Sequence, residues 1–292
     1  MKIAVFGRKL EKGFEQGLNV FFDKIKQIAS EVYIYEPFYE FLKTNSTLNI
    51  TPSQTFHSHL QIKSDFNFFF SFGGDGTFLE AVRYVRDTKV PIIGINTGRL
   101  GFLANVAQED ISESMDTLFS GSFTIEERSL IKFDSPSNPF IDFPYGLNEF
   151  TVQKRDSSLI TIDTKINNSY LNTYWTDGLI ISTPTGSTAY SMSVGGPIVA
   201  PDCRALIISP IASHNLTVRP IVITDNNIIK LKIEGRSKHF MATLDSHSYE
   251  FDTGAELELK LADFSISIVR LTGHSFYKTI RKKLMWGADI RN

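Results

Sequence analysis

The sequence predicts a two-part fold, in which an α/β domain with a parallel sheet is followed by a β-rich domain. Before about residue 125, strand-like and helix-like patterns alternate, as they do where helices cover a parallel sheet. After that point, short β-branched segments follow one another between turn residues, which is typical of an all-β fold. A helical pattern returns near the carboxyl end. We therefore expect domains at 1–125 and 126–270, followed by a segment at 271–292.

Apolar spacing predicts the elements of the first domain. Residues 15–30 place apolar side chains at helical intervals, and Phe78–Arg86 does so again. Phe66–Phe72 is apolar at nearly every position, as expected of a parallel strand that is buried on both faces. The predicted strands of this domain are Ile3–Phe6, which Gly7 closes, Val32–Tyr35, Phe66–Phe72 and Val90–Ile95.

Short β-branched segments predict the strands of the second domain, and turns rich in asparagine and glycine separate them. The predicted strands are Ser129–Phe133, Thr151–Gln153, Leu159–Ile166, Leu179–Thr183, Leu206–Ile208, Ile221–Thr224, Ile228–Ile233, Leu257–Leu261 and Ser265–Val269. A last helix is predicted over Ser275–Trp286, because Phe276, Ile280 and Leu284 recur four residues apart. We interpret its basic residues as a solvated face.

Composition and charge favour a soluble cytoplasmic protein. Hydrophobic residues make up 42% of the 292-residue chain, enough for a packed core, and the net charge of −2 gives no basis for binding nucleic acid or an acidic membrane. The single cysteine, Cys203, suits a reducing compartment. The amino end has the pattern of a strand rather than of a signal peptide, and no apolar run approaches the roughly 20 residues of a membrane helix. We expect neither nucleic acid nor a membrane as a partner.

The strongest local motif is Gly73-Gly74-Asp75-Gly76-Thr77, which lies between a predicted buried strand and a predicted helix. Ligands of open α/β sheets bind at this edge. The glycines let the backbone approach a ligand closely, and amides at the start of the helix can hold phosphate. Asp75 can take a proton from an attacking hydroxyl or hold a metal ion. The alternative is a glycine-rich turn in which Asp75 caps the helix. No Gly-x-x-x-x-Gly-Lys-Ser/Thr loop is present, which argues against an ordinary P-loop enzyme.

Three later segments carry polar groups that suit a nucleotide. A second glycine-containing loop at 97–103 follows a predicted strand at the same sheet edge. Asn148-Glu149 offers donors and acceptors for ribose hydroxyls or an amide. The stretch Ser182–Ser193 contains seven serine and threonine hydroxyls around Pro184 and Gly186. It can bind a polar ligand, although composition alone favours a plain loop between strands.

Together these segments resemble the NAD kinase family. The resemblance rests on Gly73-Gly74-Asp75-Gly76-Thr77, Leu100-Gly101-Phe102, Asn148-Glu149 and Thr176–Gly196, and it continues through Pro197-Ile198 and Ala212–Pro220. It covers most of the chain in order. The Gly-Gly-Asp-Gly-Thr motif alone is shared with phosphofructokinases and lipid kinases, whereas the segment from Asp177 to Tyr190 is highly specific to NAD kinases.

The resemblance implies an active site between an α/β domain and a β-rich domain, with the carboxyl-terminal helix returning to the first domain. It implies a homo-oligomer, expected to be a tetramer with sites shared between subunits. The implied reaction transfers a phosphoryl group from ATP to the 2′-hydroxyl of the adenosine ribose of NAD, giving NADP. A divalent ion, Mg²⁺ or Mn²⁺, accompanies ATP and is held mostly by phosphates and water, so that no protein metal ligand is predicted.

The resemblance also implies roles for individual residues. Asp75 is the expected catalytic residue, which takes the hydroxyl proton, while the amides of Gly74, Gly76 and Thr77 hold phosphate. Phe102 adds an apolar wall. Asn148 and Glu149 contact the ribose and adenine side of NAD, and Asp177 of a neighbouring subunit binds its other end. His247 stands where relatives often have an amide that touches NAD. The other expected nucleotide-binding positions are Gly73, Thr185, Thr188, Ala189, Tyr190, which stacks on adenine, Ser191, Met192 and Ser193.

Two positions depart from the family pattern. Glu80 stands where some relatives have an arginine that contacts phosphate, and Trp175 stands where some have arginine or lysine. Two alternative functions are a lipid or sugar kinase that shares only the glycine-aspartate loop, and a non-catalytic NADP-binding sensor. The segment from Asp177 to Gly196 argues against the first, and the intact Asp75, Asn148-Glu149 and Asp177 argue against the second. Another triphosphate or polyphosphate is an alternative donor, and NADH is an alternative acceptor.

Overall fold

A computed structural model describes residues 1–10, 13–46, 48, 50–98 and 101–287. The chain divides into two compact units, Met1–Glu127 with Ile266–Asn292, and Arg128–Ser265. The first unit is an α/β structure and the second is β-rich, which confirms the predicted fold class. The sequence pattern changes near 125 and 270, whereas the division into units falls after residues 127 and 265.

A parallel sheet forms the centre of the first unit. Its elements in the described residues are β1 (Lys2–Gly7), α1 (Glu15–Lys26), β2 (Glu31–Tyr35), α2 (Glu36–Asn45), β3 (Gln54–Phe56), β4 (Phe68–Phe72), α3 (Asp75–Val85), β5 (Ile92–Ile95), β6 (Ala104–Val106) and α4 (Ile111–Phe119). The strands lie in the order β3-β2-β1-β4-β5-β6, all parallel. The chain runs outward from β1 to β3 and then returns to β4, so the order reverses between β1 and β4. Open α/β sheets bind ligands beyond the carboxyl ends of their strands at such a point.

Phenylalanine rings fill the core of this unit on both faces of the sheet. Every residue of β4 is buried. On one face, Phe21 of α1 packs edge-to-face against Phe70 and Phe72, with ring centroids 4.9 and 4.8 Å apart. On the other face, Phe69 meets Phe6 and Phe56 at 6.2 and 5.9 Å. A strand covered on both faces gains from apolar side chains at every position, which explains the continuous apolar run of β4.

Two long strands cross the boundary between the units. β7 (Phe123–Phe133) leads from the first unit into the second. The second unit then contains β8 (Tyr145–Gly146), β9 (Glu149–Lys154), β10 (Ile160–Ile166), β11 (Ser169–Thr176), β12 (Gly178–Ser182), α5 (Tyr190–Ser193), β13 (Ala205–Ile211), β14 (Ile221–Thr224), β15 (Ile229–Gly235), β16 (His239–Leu244) and β17 (His247–Asp252). β18 (Glu256–Leu271) returns to the first unit, where Ile268 pairs with Ile92 of β5, and α6 (Phe276–Leu284) follows.

Two antiparallel groups of strands share one apolar core in the second unit. One group has the order β11-β10-β15 with the start of β18, and the other has the order β14-β13-β12-β9-β16-β17. Alternate residues of β9 and β12, such as Phe150 and Leu179, belong to this core. Because side chains alternate across a strand, Glu149, Gln153 and Ser182 lie on the opposite face of the six-stranded sheet.

The structure corrects several predicted bounds. Residues 256–271 form one continuous strand where two were predicted, because backbone pairing tolerates the polar residues that interrupt its apolar pattern. Helix α3 begins at Asp75 and not at Phe78, because the first turn of a helix needs no intrahelical acceptors for its N–H groups and can contain weak helix formers. The pattern also missed α2, β3, β6, α4, β8, β11, α5, β16 and β17. β11 and β17 lie at sheet edges and are mostly exposed or half-buried, so their apolar periodicity is weak.

Candidate functional site

A glycine-rich turn joins β4 to α3 at the point where the strand order reverses. Gly7 and Phe72, which end β1 and β4, are paired. Gly73 has a φ of +152°, its N–H donates to the carbonyl of Ile95 at 3.0 Å, and a Cβ on it would collide with the Thr77 side chain. Only glycine therefore fits at position 73. The first N–H groups of α3 have no acceptor within the helix, so this turn can receive phosphate oxygens.

Asp75 is held by three consecutive backbone N–H groups. Its Oδ2 accepts from Phe102 at 2.8 Å, and its Oδ1 accepts from Leu103 and Ala104 at 3.0 Å each. Gly101 comes just before these donors, and a Cβ there would collide with Oδ1. The capping residue of α3 is Gly74, which excludes the alternative in which Asp75 is only a helix cap.

The donors in the described part of the chain fix the Asp75 carboxylate but do not fill all of its acceptor positions. A carboxylate offers about four lone-pair positions, and the three backbone donors occupy one position on Oδ2 and two on Oδ1. With respect to the described residues, one acceptor position on Oδ2 is left for a hydroxyl proton. Asp75 is half-buried, so a ligand can reach it. The geometry suits a proton acceptor whose position is set before the substrate binds.

A basic side chain that the sequence analysis missed lies at the same edge of the sheet. Arg8 directly follows β1, and its Nε lies 2.7 Å from Oε2 of Glu80 on α3. Its guanidinium lies over the rings of Phe6 and Tyr35, 6.0 and 5.7 Å from their centroids. Glu80 therefore anchors an arginine beside the glycine-rich turn, although position 80 is itself acidic.

Phe102 contacts a cation within the first unit. The Nζ of Lys283 on α6 lies 4.6 Å from the centroid of its ring, a cation–π distance. The half-buried Phe102 thus combines a backbone donor to Asp75 with a ring face that a lysine covers. Arg99 and Leu100, which precede it in the family motif, lie outside the described residues.

Four of the expected site residues of the second unit lie at one edge of the six-stranded sheet, where the ends of its strands meet. Glu149 begins β9, and it pairs with Ser182 at the end of β12. Leu244 ends β16, where it pairs with Phe150 and with His247, the first residue of β17. Asn148, Glu149, Thr185 and His247 therefore belong to the same sheet edge.

The hydroxyl-rich loop after β12 is built directly onto Asn148. The Thr183 N–H donates to the Asn148 carbonyl at 2.9 Å, and the Thr183 hydroxyl donates to the Leu147 carbonyl at 2.5 Å and accepts from Gly186 N–H at 3.2 Å. A Cβ on Gly186 would collide with the Asn148 carbonyl. This close approach requires glycine and fixes where the 3₁₀ turn Thr185–Thr188 begins.

The segment from Thr188 to Ser193 lies over the outer face of the same sheet. The buried Ser191 hydroxyl is 3.0 Å from that of Ser209 on β13, and the Tyr190 hydroxyl accepts from Gln153 of β9 at 2.9 Å. The Tyr190 ring is 37% exposed. The hydroxyl groups of Thr183 and Ser191 thus form hydrogen bonds within the protein. The Tyr190 ring, in contrast, is exposed enough for a ligand to reach it. The other expected positions are half-buried at Thr188, Ala189 and Met192, exposed at Ser193 and buried at Thr185.

The carboxyl group of Glu149 has a strongly raised pKa. Burial, and to a lesser extent the nearby Asp245 carboxylate, raise its pKa to about 8, while a hydrogen bond from the Tyr190 backbone opposes the rise. Its Oε2 is buried and has no hydrogen-bond partner among the described residues. At neutral pH the side chain therefore carries a proton that it can donate to a ligand.

The structure places Asp177 away from Glu149. Asp177 precedes β12, whereas Glu149 pairs with Ser182 at the other end of that strand. Five residues of extended chain span roughly 17 Å. Asp177 instead forms an ion pair with Lys154, whose Nζ lies 2.6 Å from its Oδ1. Within one chain, these two carboxylates cannot bind the same end of a small ligand.

Neither a protein metal cage nor a membrane helix occurs in the described part of the chain. No group of three or more His, Cys, Asp or Glu side chains there could hold a metal ion. No described helix is long and apolar enough to cross a membrane.

Comparisons with known proteins agree on one family. Residues 20–123 match the family model described as the ATP-NAD kinase N-terminal domain, and residues 147–271 match the ATP-NAD kinase C-terminal domain. The chain is 44% identical over 295 residues to an NAD kinase of Flavobacterium psychrophilum and 42% identical over 292 residues to one of Bacteroides fragilis. Both alignments cover 100% of each chain.

Two solved structures share the fold. Yeast NADH kinase complexed with NADH gives a TM-score of 0.85 at 20% identity, covering 100% of this chain and 89% of that one. An NAD kinase from Archaeoglobus fulgidus in complex with ATP gives 0.75 at 23% identity, covering 98% and 99%. At such low identities, the likeness to these two structures shows the fold alone.

Proposed function

This chain belongs to the NAD kinase family, and from that premise we propose which of its residues carry out the reaction. The reaction transfers a phosphoryl group from ATP to the 2′-hydroxyl of the adenosine ribose of NAD and gives NADP. The observation that carries the assignment is the carboxylate of Asp75, held by three backbone N–H groups at the reversal point of the sheet.

Asp75 is the general base. The 2′-hydroxyl hydrogen-bonds to the free acceptor position on Oδ2 and gives its proton to the carboxylate as its oxygen attacks the γ-phosphorus. The bond from that phosphorus to the bridging oxygen breaks, and ADP leaves. The backbone donors cost no reorganisation during the step, because they hold Asp75 before the substrate arrives.

The glycine-rich turn holds the donor phosphates. The backbone N–H groups of Gly74, Gly76 and Thr77 at the start of α3 donate to phosphate oxygens, and Gly73 provides the turn that orients these N–H groups. A divalent ion bound to ATP neutralises phosphate charge. By family resemblance, mostly phosphates and water would hold this ion, and no side chain is assigned as its ligand.

The second unit binds the acceptor. Asn148 and Glu149 hold the ribose hydroxyls and the adenine side of NAD. The loop with Thr185, Thr188, Ala189, Tyr190, Ser191, Met192 and Ser193 lines the adenine pocket, in which the partly exposed Tyr190 ring stacks on the base. His247 lies at the same sheet edge as Glu149 and contacts NAD. The ring of Phe102 adds an apolar wall to the site.

Asp177 binds the other end of the dinucleotide and comes from a neighbouring subunit. Its separation from Glu149 along β12 supports this role, because one chain cannot bring both carboxylates to the same part of NAD. The enzyme is accordingly a homo-oligomer, a tetramer by family resemblance, and works in the cytoplasm.

A coupled assay for NADP formation from ATP, NAD and Mg²⁺ tests the proposal. We expect turnover that needs all three components, and no phosphorylation of sugars or lipids offered in place of NAD. Tight NAD binding without turnover in a well-folded protein would instead identify a binding protein that keeps the fold, and turnover on a lipid or sugar alone would identify a different kinase.

A further inference from the structure

Asp245 holds the backbone of the proposed ribose-binding pair. Its Oδ2 accepts the N–H of Leu147 at 2.8 Å, and its Oδ1 accepts those of Asn148 at 2.9 Å and Glu149 at 3.1 Å. Its own N–H donates to the Glu149 carbonyl at 3.0 Å. Four hydrogen bonds thus join one side chain and its backbone to three successive residues that lie nearly a hundred positions earlier in the chain.

The turn between β16 and β17 sets the position of the Asp245 carboxylate. Leu244 pairs with His247, so Asp245 and Ser246 form a two-residue hairpin loop, and Asp245 has a φ of +50°. Left-handed backbone is costly for most residues but is tolerated by aspartate and asparagine. A Cβ on Gly146 would crowd both Leu244 and the Asp245 carboxylate. The segment is therefore shaped to fit against Asp245.

We propose that Asp245 is a positioning residue, whose carboxylate fixes the backbone from Leu147 to Glu149 and so orients the pair that binds the ribose of NAD. This inference rests on the proposed role of Asn148 and Glu149. Asp245 acts through them, because its carboxylate is occupied by the three backbone donors.

The charge of Asp245 has a second consequence for Glu149. Burial is the main cause that raises the pKa of Glu149 to about 8, and the Asp245 carboxylate is the charged group that adds to it. The hydrogen bond from the Tyr190 backbone acts in the opposite direction. Below pH 8 Glu149 is therefore a neutral acid that can donate to a ribose oxygen, and above pH 8 it becomes a carboxylate that can only accept.

Asp245→Asn tests the positioning role. An asparagine can accept through one atom only, and its NH₂ group faces a backbone N–H where the second carboxylate oxygen was. We expect the KM for NAD to rise about tenfold or more, while the KM for ATP changes little. Asp252→Asn is the matched control, because Asp252 lies on the same hairpin and its side chain is 87% exposed. Asp252→Asn should leave the KM for NAD and the KM for ATP unchanged.

The pH profile separates positioning from simple loss of structure. In the wild type, the KM for NAD should change near pH 8 as Glu149 ionises. Removing the Asp245 charge lowers the pKa of Glu149, so Asp245→Asn should move this change to lower pH. Glu149→Gln, which cannot ionise, should abolish the change of the KM for NAD near pH 8. This measurement can be made even if Asp245→Asn does not fold.

The outcomes distinguish this inference from the proposed function. An unchanged KM and pH profile in a folded Asp245→Asn protein would overturn the inference while NAD kinase activity stands. A Glu149→Gln profile identical to that of the wild type would also overturn it. Absence of NADP formation by the wild type, in contrast, would overturn the proposed function itself.

Discussion

Two aspartates each accept three consecutive backbone N–H groups, Asp75 in the first unit and Asp245 in the second. In both, a glycine, Gly101 or Gly146, precedes the donors and has no room for a Cβ. Each aspartate therefore stabilises a loop, whatever else it does. A loss of activity on mutation has two possible causes, and the experiments must separate them.

Asp75→Asn should lower kcat by about 10²–10⁴-fold, because it removes the general base while keeping the size of the side chain. NAD affinity should change little, or increase, since a negative charge near phosphate is gone. Some stability should also be lost, because the amide leaves one backbone donor without an acceptor, at a cost of about 1–3 kcal/mol. Steady-state kinetics, calorimetric NAD binding and a melting curve measure the three effects.

Gly101→Ala is the matched control for Asp75→Asn. The new methyl group would collide with Asp75 Oδ1, so it disturbs the same hydrogen bonds but keeps the carboxylate. If the two variants lose a similar amount of melting temperature, the fold decrease in kcat caused by Gly101→Ala should be at most about one tenth of that caused by Asp75→Asn. Equal kcat losses at equal stability would mean that Asp75 only anchors the loop.

Asp177→Ala should mainly raise the KM for NAD. Losing a hydrogen bond to a charged group costs about 1.5–3 kcal/mol, roughly 10- to 150-fold in affinity. Lys154→Met breaks the same ion pair but leaves the carboxylate, and because partly exposed pairs contribute about 0–1 kcal/mol, it should change the KM by less than about fivefold. A collapse of kcat at unchanged NAD affinity in Asp177→Ala would contradict the binding role.

The sequence identifies candidate site residues in local motifs, whereas it gives no signal for residues whose partners lie far away along the chain. Asp75 lies in a five-residue motif whose glycines and carboxylate already indicate phosphate chemistry. Arg8, Lys154 and Asp245 give no such signal. Arg8 contacts Glu80, which lies 72 residues away, and Lys154 contacts Asp177, which lies 23 residues away. Asp245 accepts hydrogen bonds from Leu147–Glu149, which lie 96 to 98 residues away. Only the folded sheets bring these partners together.

The same limit applies to whole elements. β4 was predicted because a strand buried on both faces is apolar throughout. β11 and β17 were missed because they lie at sheet edges, where side chains facing solvent obscure the alternation. α2 was missed because only Phe38 and Leu42 are buried along its ten residues, which is too few to establish a helical period.

The sheet edge with Glu149 should make the stability of the protein depend on pH. The pKa of Glu149 is about 8 in the folded protein and 4.5 ordinarily, so the folded state holds this proton more tightly. Its stabilising contribution is complete below about pH 4.5 and is lost as the pH rises towards 8. The free energy of unfolding should therefore fall across this range, by at most about 1.4 kcal/mol per pH unit.

Glu149→Gln should flatten this dependence. Urea unfolding at several values between pH 5 and pH 8 measures the effect, and Glu234→Gln is the control because Glu234 belongs to the same unit and its side chain is 55% exposed. The Glu234 variant should keep the slope of the wild type. An equal slope in the Glu149 variant would show that Glu149 does not hold its proton across this range.

At the scale of the whole molecule, the proposed function gives different tasks to the two fold classes along the chain. The parallel sheet offers strand ends and a helix start, which suit phosphate and a catalytic carboxylate. The antiparallel second unit offers one sheet edge with Glu149 and a separate end with Asp177. If NAD extends beyond one such edge, a second copy of the chain has to supply the missing contact.

Subunit mixing tests this shared site. If Asp75 of one subunit works with Asp177 of another, an oligomer that contains Asp75→Asn and Asp177→Ala chains has some sites with both defects and others with none. Random pairing at equal amounts should restore about a quarter of the wild-type sites. We therefore expect the co-expressed mixture to be far more active at low NAD than either parent, with light scattering confirming an oligomer. Activity that is only the average of the two parents, or an active monomer, would show that each chain carries a complete site and that Asp177 binds NAD within its own subunit.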